Sequence, residues 1–424
     1  MVNFVVALLV LLILIFVSKK TTKSFFSVPS IFLIFWSIYF AFSYLVTKDE
    51  YNWSFHSIWF IIGLAVSLII GFFIGNSIKV NEGYLPINLK KIDKKTMGLF
   101  ICIGIAIAVL YPLMILRTYN ASIKNILNIK FLLSFNNMIA IDRYSGNFEL
   151  GGISSIFLIF VYAMPLIGGY LFNKFKIIGK LLCLATFFPG FLVLILINTK
   201  ISIIGPTLLF VSGYITNLIT MIKLKISKKT IIIGGLSFVI LMGVLIVSMM
   251  MRTGSISLDV FNTILYKFKS YAFGSVPAFD YWIKNRDFQG LTFGQSTFLG
   301  IFDLIGLADK KIGVYEDYFY TRDIATNVYT VFRGLILDFD IIGSLAIFII
   351  LGIIFGFAKK KIDNCAAPLS VCITSLGLFF FFYGFIISCF TYNSFTFAFV
   401  IYYIFVYLSY FMDGDQDDKE VIVE

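Results

Sequence analysis

Histidine is nearly absent from this chain of 424 residues, occurring once, at His56. Chemistry that needs two imidazoles, a two-histidine metal centre included, is thereby excluded. Charge is scarce as well. Only 13% of residues are Asp, Glu, Lys or Arg, against roughly 25% in an ordinary soluble domain. A soluble enzyme is excluded by that scarcity together with 59% hydrophobic residues and a mean hydropathy of +0.95. The five cysteines form no Cys-x-x-Cys pair and avoid the long polar segments, so neither a disulfide framework nor a zinc site is indicated. No Walker A sequence occurs, which leaves transport driven by the chain's own nucleotide hydrolysis unsupported.

What is present is apolar length. Spanning a bilayer takes about 20 apolar residues, and runs of that kind lie at about 2–17, 29–47, 57–78, 97–116, 152–172, 181–197, 201–222, 230–250, 340–358, 366–390 and 394–412. The expected fold is all-α: a polytopic membrane protein of about eleven transmembrane helices, forming a single integral membrane domain over 1–424. The first run is followed, not preceded, by Lys19, Lys20 and Lys23, the reverse of a signal peptide. It is expected to remain, with its N-terminus outside.

The net charge of +11, with a pI near 9.2, would point to nucleic acid in a soluble chain. Here it divides between the two faces of a membrane, and no nucleic-acid partner is expected. Placing alternate loops on opposite sides gives one side nineteen lysines and no arginine. The other side receives nine lysines and all six arginines: Arg117, Arg143, Arg252, Arg286, Arg322 and Arg333. Lysines packed into short loops mark the cytoplasm, so the C-terminus, with its acidic run from Asp413 to Glu420, is expected inside and the arginines outside.

That segregation is the most informative feature. A planar guanidinium holds phosphate or carboxylate through two parallel hydrogen bonds and keeps its charge when desolvated. Two external segments are long enough to use it. The first, 117–151, contains a moderately apolar stretch, Ile126 to Ile141, read as an interfacial helix, and ends near Asp142 and Arg143. The second, 252–339, carries Leu258, Phe261, Leu265, Phe268 and Ala272 at helical spacing, with Ser257 as N-cap. After it come Asp280, Tyr281, Trp282 and a glycine-punctuated stretch. Tyr315, Tyr318 and Tyr320 then precede Arg322, Asp323, Asn327, Tyr329 and Arg333. Aromatic faces cover sugar rings while amides and carboxylates take hydroxyls, although aromatic belts at membrane interfaces also collect Tyr and Trp. The apolar runs themselves are almost free of charge. Transporters and channels place ionisable groups there, so binding or chemistry at the outer surface is favoured over conduction.

The stretch Thr326 to Asp340, continuing to Gly343, together with about eleven spans and one long late loop, resembles the O-antigen polymerase (Wzy) family. Arg143 followed by Gly151 and Gly152, and the turn Asn198 to Lys200, are similar to features at corresponding places in those polymerases. Asp340 departs from the pattern, standing where a glycine is common. The resemblance implies a metal-independent glycosyltransferase of the GT-C type, without cofactor. It would join undecaprenyl diphosphate-linked oligosaccharides at the outer face of the bacterial cytoplasmic (inner) membrane into O-antigen or capsular polysaccharide. A chain-length regulator is an expected partner on the same ground.

Negative charge grows on the departing lipid diphosphate, so fixed cations there favour the transition state. Arg143, Arg252, Arg322 and Arg333 are the candidates, with Arg117 and Lys200 as further cations. Asp338 and Asp323, then Asp142, are candidates for the base on the acceptor hydroxyl. Each stands beside an arginine that can also claim it as an ion-pair partner. Asn327, Tyr329, Tyr281 and Trp282 are candidates for sugar or phosphate contact. Asp49 and Glu50 are similar to the acidic pair near the first external loop of some metal-dependent GT-C enzymes, but they follow the second span, where an ordinary solvated turn accounts for them better. Three alternatives stand beside the polymerase: an O-antigen ligase, for which a histidine in the large loop is expected and none occurs; a lipid-linked oligosaccharide flippase; and a non-catalytic scaffold of the same assembly. An O-acyltransferase is disfavoured by the lack of a catalytic histidine.

Overall fold

The computed structural model describes residues 2–80, 94–148, 150–221, 228–253, 257–287, 290–308, 315, 317–364 and 367–411, without the side chains of 144, 228–234, 237, 238, 252 and 411. In chain order the helices are α1 (Val2–Thr22), α2 (Val28–Thr47), α3 (His56–Ser77), α4 (Lys94–Thr118), α5 (Ile129–Ser145) and α6 (Ile153–Leu171). There follow α7 (Ile177–Ala185), α8 (Phe188–Ile197), α9 (Ile201–Thr220), α10 (Lys228–Arg252), α11 (Leu258–Phe273), α12 (Ser275–Asn285) and α13 (Leu299–Leu304). A two-stranded hairpin, β1 (Phe319–Tyr320) and β2 (Ala325–Thr326), precedes α14 (Thr330–Asn364), α15 (Pro368–Tyr383) and α16 (Asn393–Phe411).

Among the described residues nine helices are long and apolar enough to cross a membrane, α7 and α8 counting together as Ile177–Ile197. Two shorter apolar helices, Val239–Met251 within α10 and Pro368–Tyr383, occupy the other two expected positions. The chain is therefore a polytopic α-helical protein. The expected interfacial helix is α5, capped by Asn128, whose side chain accepts from the amides of Lys130 and Phe131 at 3.0 and 3.3 Å. The expected amphipathic helix is α11, with Ser257 accepting from the Val260 amide at 3.2 Å.

One boundary differs from the sequence reading. The helix expected to begin near 340 begins at Thr330, so Arg333 and Asp338 stand on its first turns and not in the loop. The reason is local composition: Val331, Phe332, Leu335 and Ile336 are all buried and extend the apolar face backwards. The helix is broken at Asp340, whose φ of 53° and ψ of −176° are non-helical.

The residues gather into two compact units, Met1–Ile92 with Lys269–Glu424, and Asp93–Phe268, where the apolar runs predict one domain. In the first unit α3 and α14 approach through glycines. A Cβ on Gly71 or Gly75 would overlap the carbonyls of Ile349 or Ile353, and one on Gly352 or Gly356 those of Leu68 or Phe72. Small residues at fourfold spacing let two membrane helices reach backbone contact, which replaces the missing hydrophobic drive with packing. Beside that seam Trp36 and Phe332 (4.6 Å between ring centroids) and Phe32 and Phe381 (4.8 Å) fill the core. In the second unit α4, α5, α6 and α8 enclose Ala108, Ile115, Ile139, Val161 and Leu196.

Candidate functional site

In the first unit the polar segment ahead of α14 is folded back by backbone and side-chain hydrogen bonds. The hairpin pairs Phe319 with Thr326 and Tyr320 with Ala325, and the Thr321 amide donates to the Ile324 carbonyl at 2.8 Å. The Asn327 amide side chain donates to the Tyr315 carbonyl at 3.1 Å, and the Tyr329 hydroxyl to the Asp317 carbonyl at 3.3 Å. These bonds return Tyr315 and Asp317 to the start of α14, where Arg333 lies one turn in.

There the Arg333 guanidinium is walled by three rings, its central carbon standing 4.0 Å from the Tyr315 centroid, 4.2 Å from Tyr329 and 5.1 Å from Trp282. Its two terminal nitrogens each donate at 2.9 Å to one carboxylate oxygen of Asp317. Arg333 is only 7% exposed, whereas the Asp317 side chain is 56% exposed. The Nε of Arg333 is buried and has no hydrogen-bond partner among the described residues. Partial burial raises the Asp317 pKa, but the hydrogen bonds and charge of Arg333 outweigh it and hold the carboxyl below its ordinary value. Burial pushes the Tyr329 hydroxyl up to about 12, so at neutral pH it is a neutral donor beside an ion pair.

Two other carboxylates of the first unit are spoken for. Asp280, on α12, is fully buried and accepts six hydrogen bonds. They come from the Tyr51 hydroxyl (3.0 Å), the amide and hydroxyl of Ser54 (2.7 and 2.8 Å), the Phe55 amide (3.2 Å), and the amide and hydroxyl of Ser57 (2.9 and 3.0 Å). Phe55, with φ of 65°, offers no side-chain cap to α3. Asp280 supplies that cap from more than 220 residues away in sequence, with its charge at the positive end of the helix. Asp338 is also fully buried. Its oxygens accept from the Thr292 hydroxyl, the Ser296 amide (2.9 Å) and the Thr297 amide (2.7 Å). Asp338 thus braces the turn before α13, and the ion pair that the sequence offered it with Arg333 is made by Asp317 instead.

The remaining candidates of this unit lie nearer solvent. Arg322 is exposed at the tip of the hairpin beside the half-buried Asp323, and Tyr281 is 50% exposed, its ring 5.5 Å from Phe319. Arg286, which sequence reasoning did not single out, pairs with Asp340 at 2.7 Å. In the second unit Arg117 is exposed on the last turn of α4, and Arg143 is half-buried on the last turn of α5. The adjacent Asp142 accepts from the Tyr119 hydroxyl at 2.8 Å. Lys200 is half-buried at the head of α9, in a turn anchored by Asn198, whose side chain donates to the Ser248 carbonyl at 2.6 Å. The side chain of Arg252 lies outside the described residues. Among the described residues no three His, Cys, Asp or Glu side chains stand together as a metal-holding group.

Asp317 is the principal residue of the site that sequence reasoning passed over. It lies sixteen positions before Arg333, a separation with no helical or strand register. The available signal was its place amid Tyr315, Tyr318 and Tyr320. Comparison with protein-family models, with curated proteins and with solved structures yields no match to this chain.

Proposed function

We propose that this protein is a membrane polymerase that joins undecaprenyl diphosphate-linked oligosaccharide repeat units into O-antigen or capsular polysaccharide. In this reading its arginine-bearing segments face outward from the bacterial cytoplasmic membrane, and its N-terminus lies outside and its C-terminus inside. The observation that carries the reading is the Arg333 site: a guanidinium nine-tenths buried among Trp282, Tyr315 and Tyr329, with a half-exposed carboxylate as its partner. A fixed cation beside aromatic faces, in a polar segment between membrane helices, suits a ligand that is both anionic and glycosidic.

The reaction is a glycosyl transfer. An acceptor hydroxyl oxygen forms a bond to the anomeric carbon, the bond from that carbon to the diphosphate oxygen breaks, and the electron pair leaves with the lipid diphosphate. The hydroxyl proton passes to a base. Arg322, exposed at the hairpin tip, and Arg333 answer the charge that grows on the diphosphate. Of the two carboxylates, Asp323 is the one assigned to the acceptor hydroxyl, because Asp338 is fully buried and already accepts three hydrogen bonds. Deleting and restoring the gene, and resolving surface polysaccharide on a gel, tests the reading. Loss of the long ladder with survival of a single-repeat band supports it. Loss of every repeat replaces it by ligase or flippase action, and an unchanged ladder by a scaffold.

A further inference from the structure

A groove of about 650 Å³ runs along the second unit between the C-terminal half of α4 and the head of α6. Its floor is Leu110, Leu113, Met114 and Phe157, and its polar end is Arg117. We infer that this groove holds one acyl chain of an anionic glycerophospholipid from the surrounding bilayer, with the lipid phosphate on Arg117. The inference is independent of the reaction proposed above.

Three observations carry it. First, the groove opens to the surroundings of two membrane-crossing helices. Leu110 is 40% and Ile153 63% exposed, and in a bilayer the material beside such side chains is lipid. Second, the depth is right. Arg117 lies in the last turn of α4, at the level where long cationic side chains reach the headgroups. Leu110 lies seven residues, roughly 10 Å, deeper along the helix. A ligand in the groove therefore has a charged end at the interface and an apolar body below it. Third, Arg117 is the one charged side chain among the described lining residues. Arg117 is exposed, no hydrogen bond or ion pair joins its side chain to another described residue, and no carboxylate is among the described lining residues.

The head of α6 supplies open space beside this cation. No side chain caps its first turn, and open space surrounds Gly151 and Gly152 where a Cβ would stand. The amides of Ser154 and Ser155 already donate to the Gly151 and Gly152 carbonyls at 2.8 and 3.2 Å, so the helix head contributes room for a headgroup and the phosphate charge falls to Arg117. One guanidinium matches the single negative charge of a phosphodiester better than the higher charge of a prenyl diphosphate. The described lining residues also offer no amide or carboxylate side chain for sugar hydroxyls.

The test uses the full chain in nanodiscs of equal phosphatidylglycerol and phosphatidylcholine, with retained lipid counted by native mass spectrometry. The wild type is expected to hold phosphatidylglycerol in about fivefold preference, the scale of one interfacial cation. Arg117→Gln should abolish that preference, Arg117→Lys should keep most of it, and Lys130→Gln, at another exposed cation, should leave it intact. Gly152→Leu, which places a side chain in the open space, should expel the lipid without changing charge. Thermal unfolding of each variant separates lipid loss from misfolding. A wild type without preference, or a preference that survives both Arg117→Gln and Gly152→Leu, overturns the proposal. Displacement of the phosphatidylglycerol by equimolar prenyl monophosphate also overturns it, in favour of a carrier-lipid site.

Discussion

Arg333 and Asp317 meet through two parallel hydrogen bonds of 2.9 Å, and the two partners differ sharply in burial: the guanidinium is enclosed by aromatic rings, the carboxylate more than half exposed. The cation is therefore fixed by the fold, while its counter-ion lies where solvent, or another anion, can reach it.

The pair has a defined dependence on pH. The Asp317 carboxyl is held below its ordinary value of 3.8, so its contribution to stability is fully present above 3.8 and is lost as pH falls through the lowered folded value. The difference in melting temperature between wild type and Asp317→Asn, measured in detergent, should be constant from pH 5 to pH 8 and shrink only below 3.8. A difference that collapses nearer neutrality would assign the effect to another group. Arg333→Lys keeps the charge but loses the two-pronged contact and the ring packing, and should destabilise by about 1–3 kcal/mol.

Asp280→Asn should destabilise the first unit by about 2–4 kcal/mol, because an amide turns two donors toward amides and hydroxyls that already donate. The effect should appear as a lower melting temperature with the Asn variant well below Tyr51→Phe, which removes one of the six bonds. Equal melting temperatures would mean that the cap on α3 is dispensable.

At Asp340 two effects oppose each other. Its φ of 53° with ψ of −176° is a conformation that glycine adopts freely and other residues adopt at a cost of about 1–3 kcal/mol. Against this stands its pairing with Arg286, a partly exposed ion pair worth about 0–1 kcal/mol. Backbone relief is the larger effect, so Asp340→Gly should raise the melting temperature slightly and Asp340→Ala should lower it. A lower melting temperature for the glycine variant would show that the Arg286 pair dominates.

Arg322 offers the cleanest functional test, since it is exposed and makes no hydrogen bond or ion pair with another described residue. Arg322→Ala should leave insertion and melting temperature unchanged while reducing the polysaccharide ladder tenfold or more, about 1.4 kcal/mol of transition-state stabilisation. A normal ladder in this variant would remove Arg322 from the site.

Apolar run length alone determined that the chain is a helical, polytopic membrane protein, because a bilayer demands about 20 apolar residues per crossing whatever the sequence around them. The same kind of local signal foretold α11 with its Ser257 cap and a helix in the stretch Ile126 to Ile141, which the structure places at Ile129–Ser145, since local apolar patterning and capping act within a few residues. Only the tertiary structure decided the start of α14 at Thr330, which depends on burying Val331 to Ile336 against other helices. It also decided the partners of the charges. Asp338 neighbours Arg333 in sequence yet turns to Thr292, Ser296 and Thr297, and Arg333 takes Asp317 from sixteen positions back. Asp280 reaches across to the head of α3. Ion pairs and hydrogen bonds act between groups a few ångströms apart in space, and in a chain that crosses a membrane many times sequence neighbours seldom set that distance.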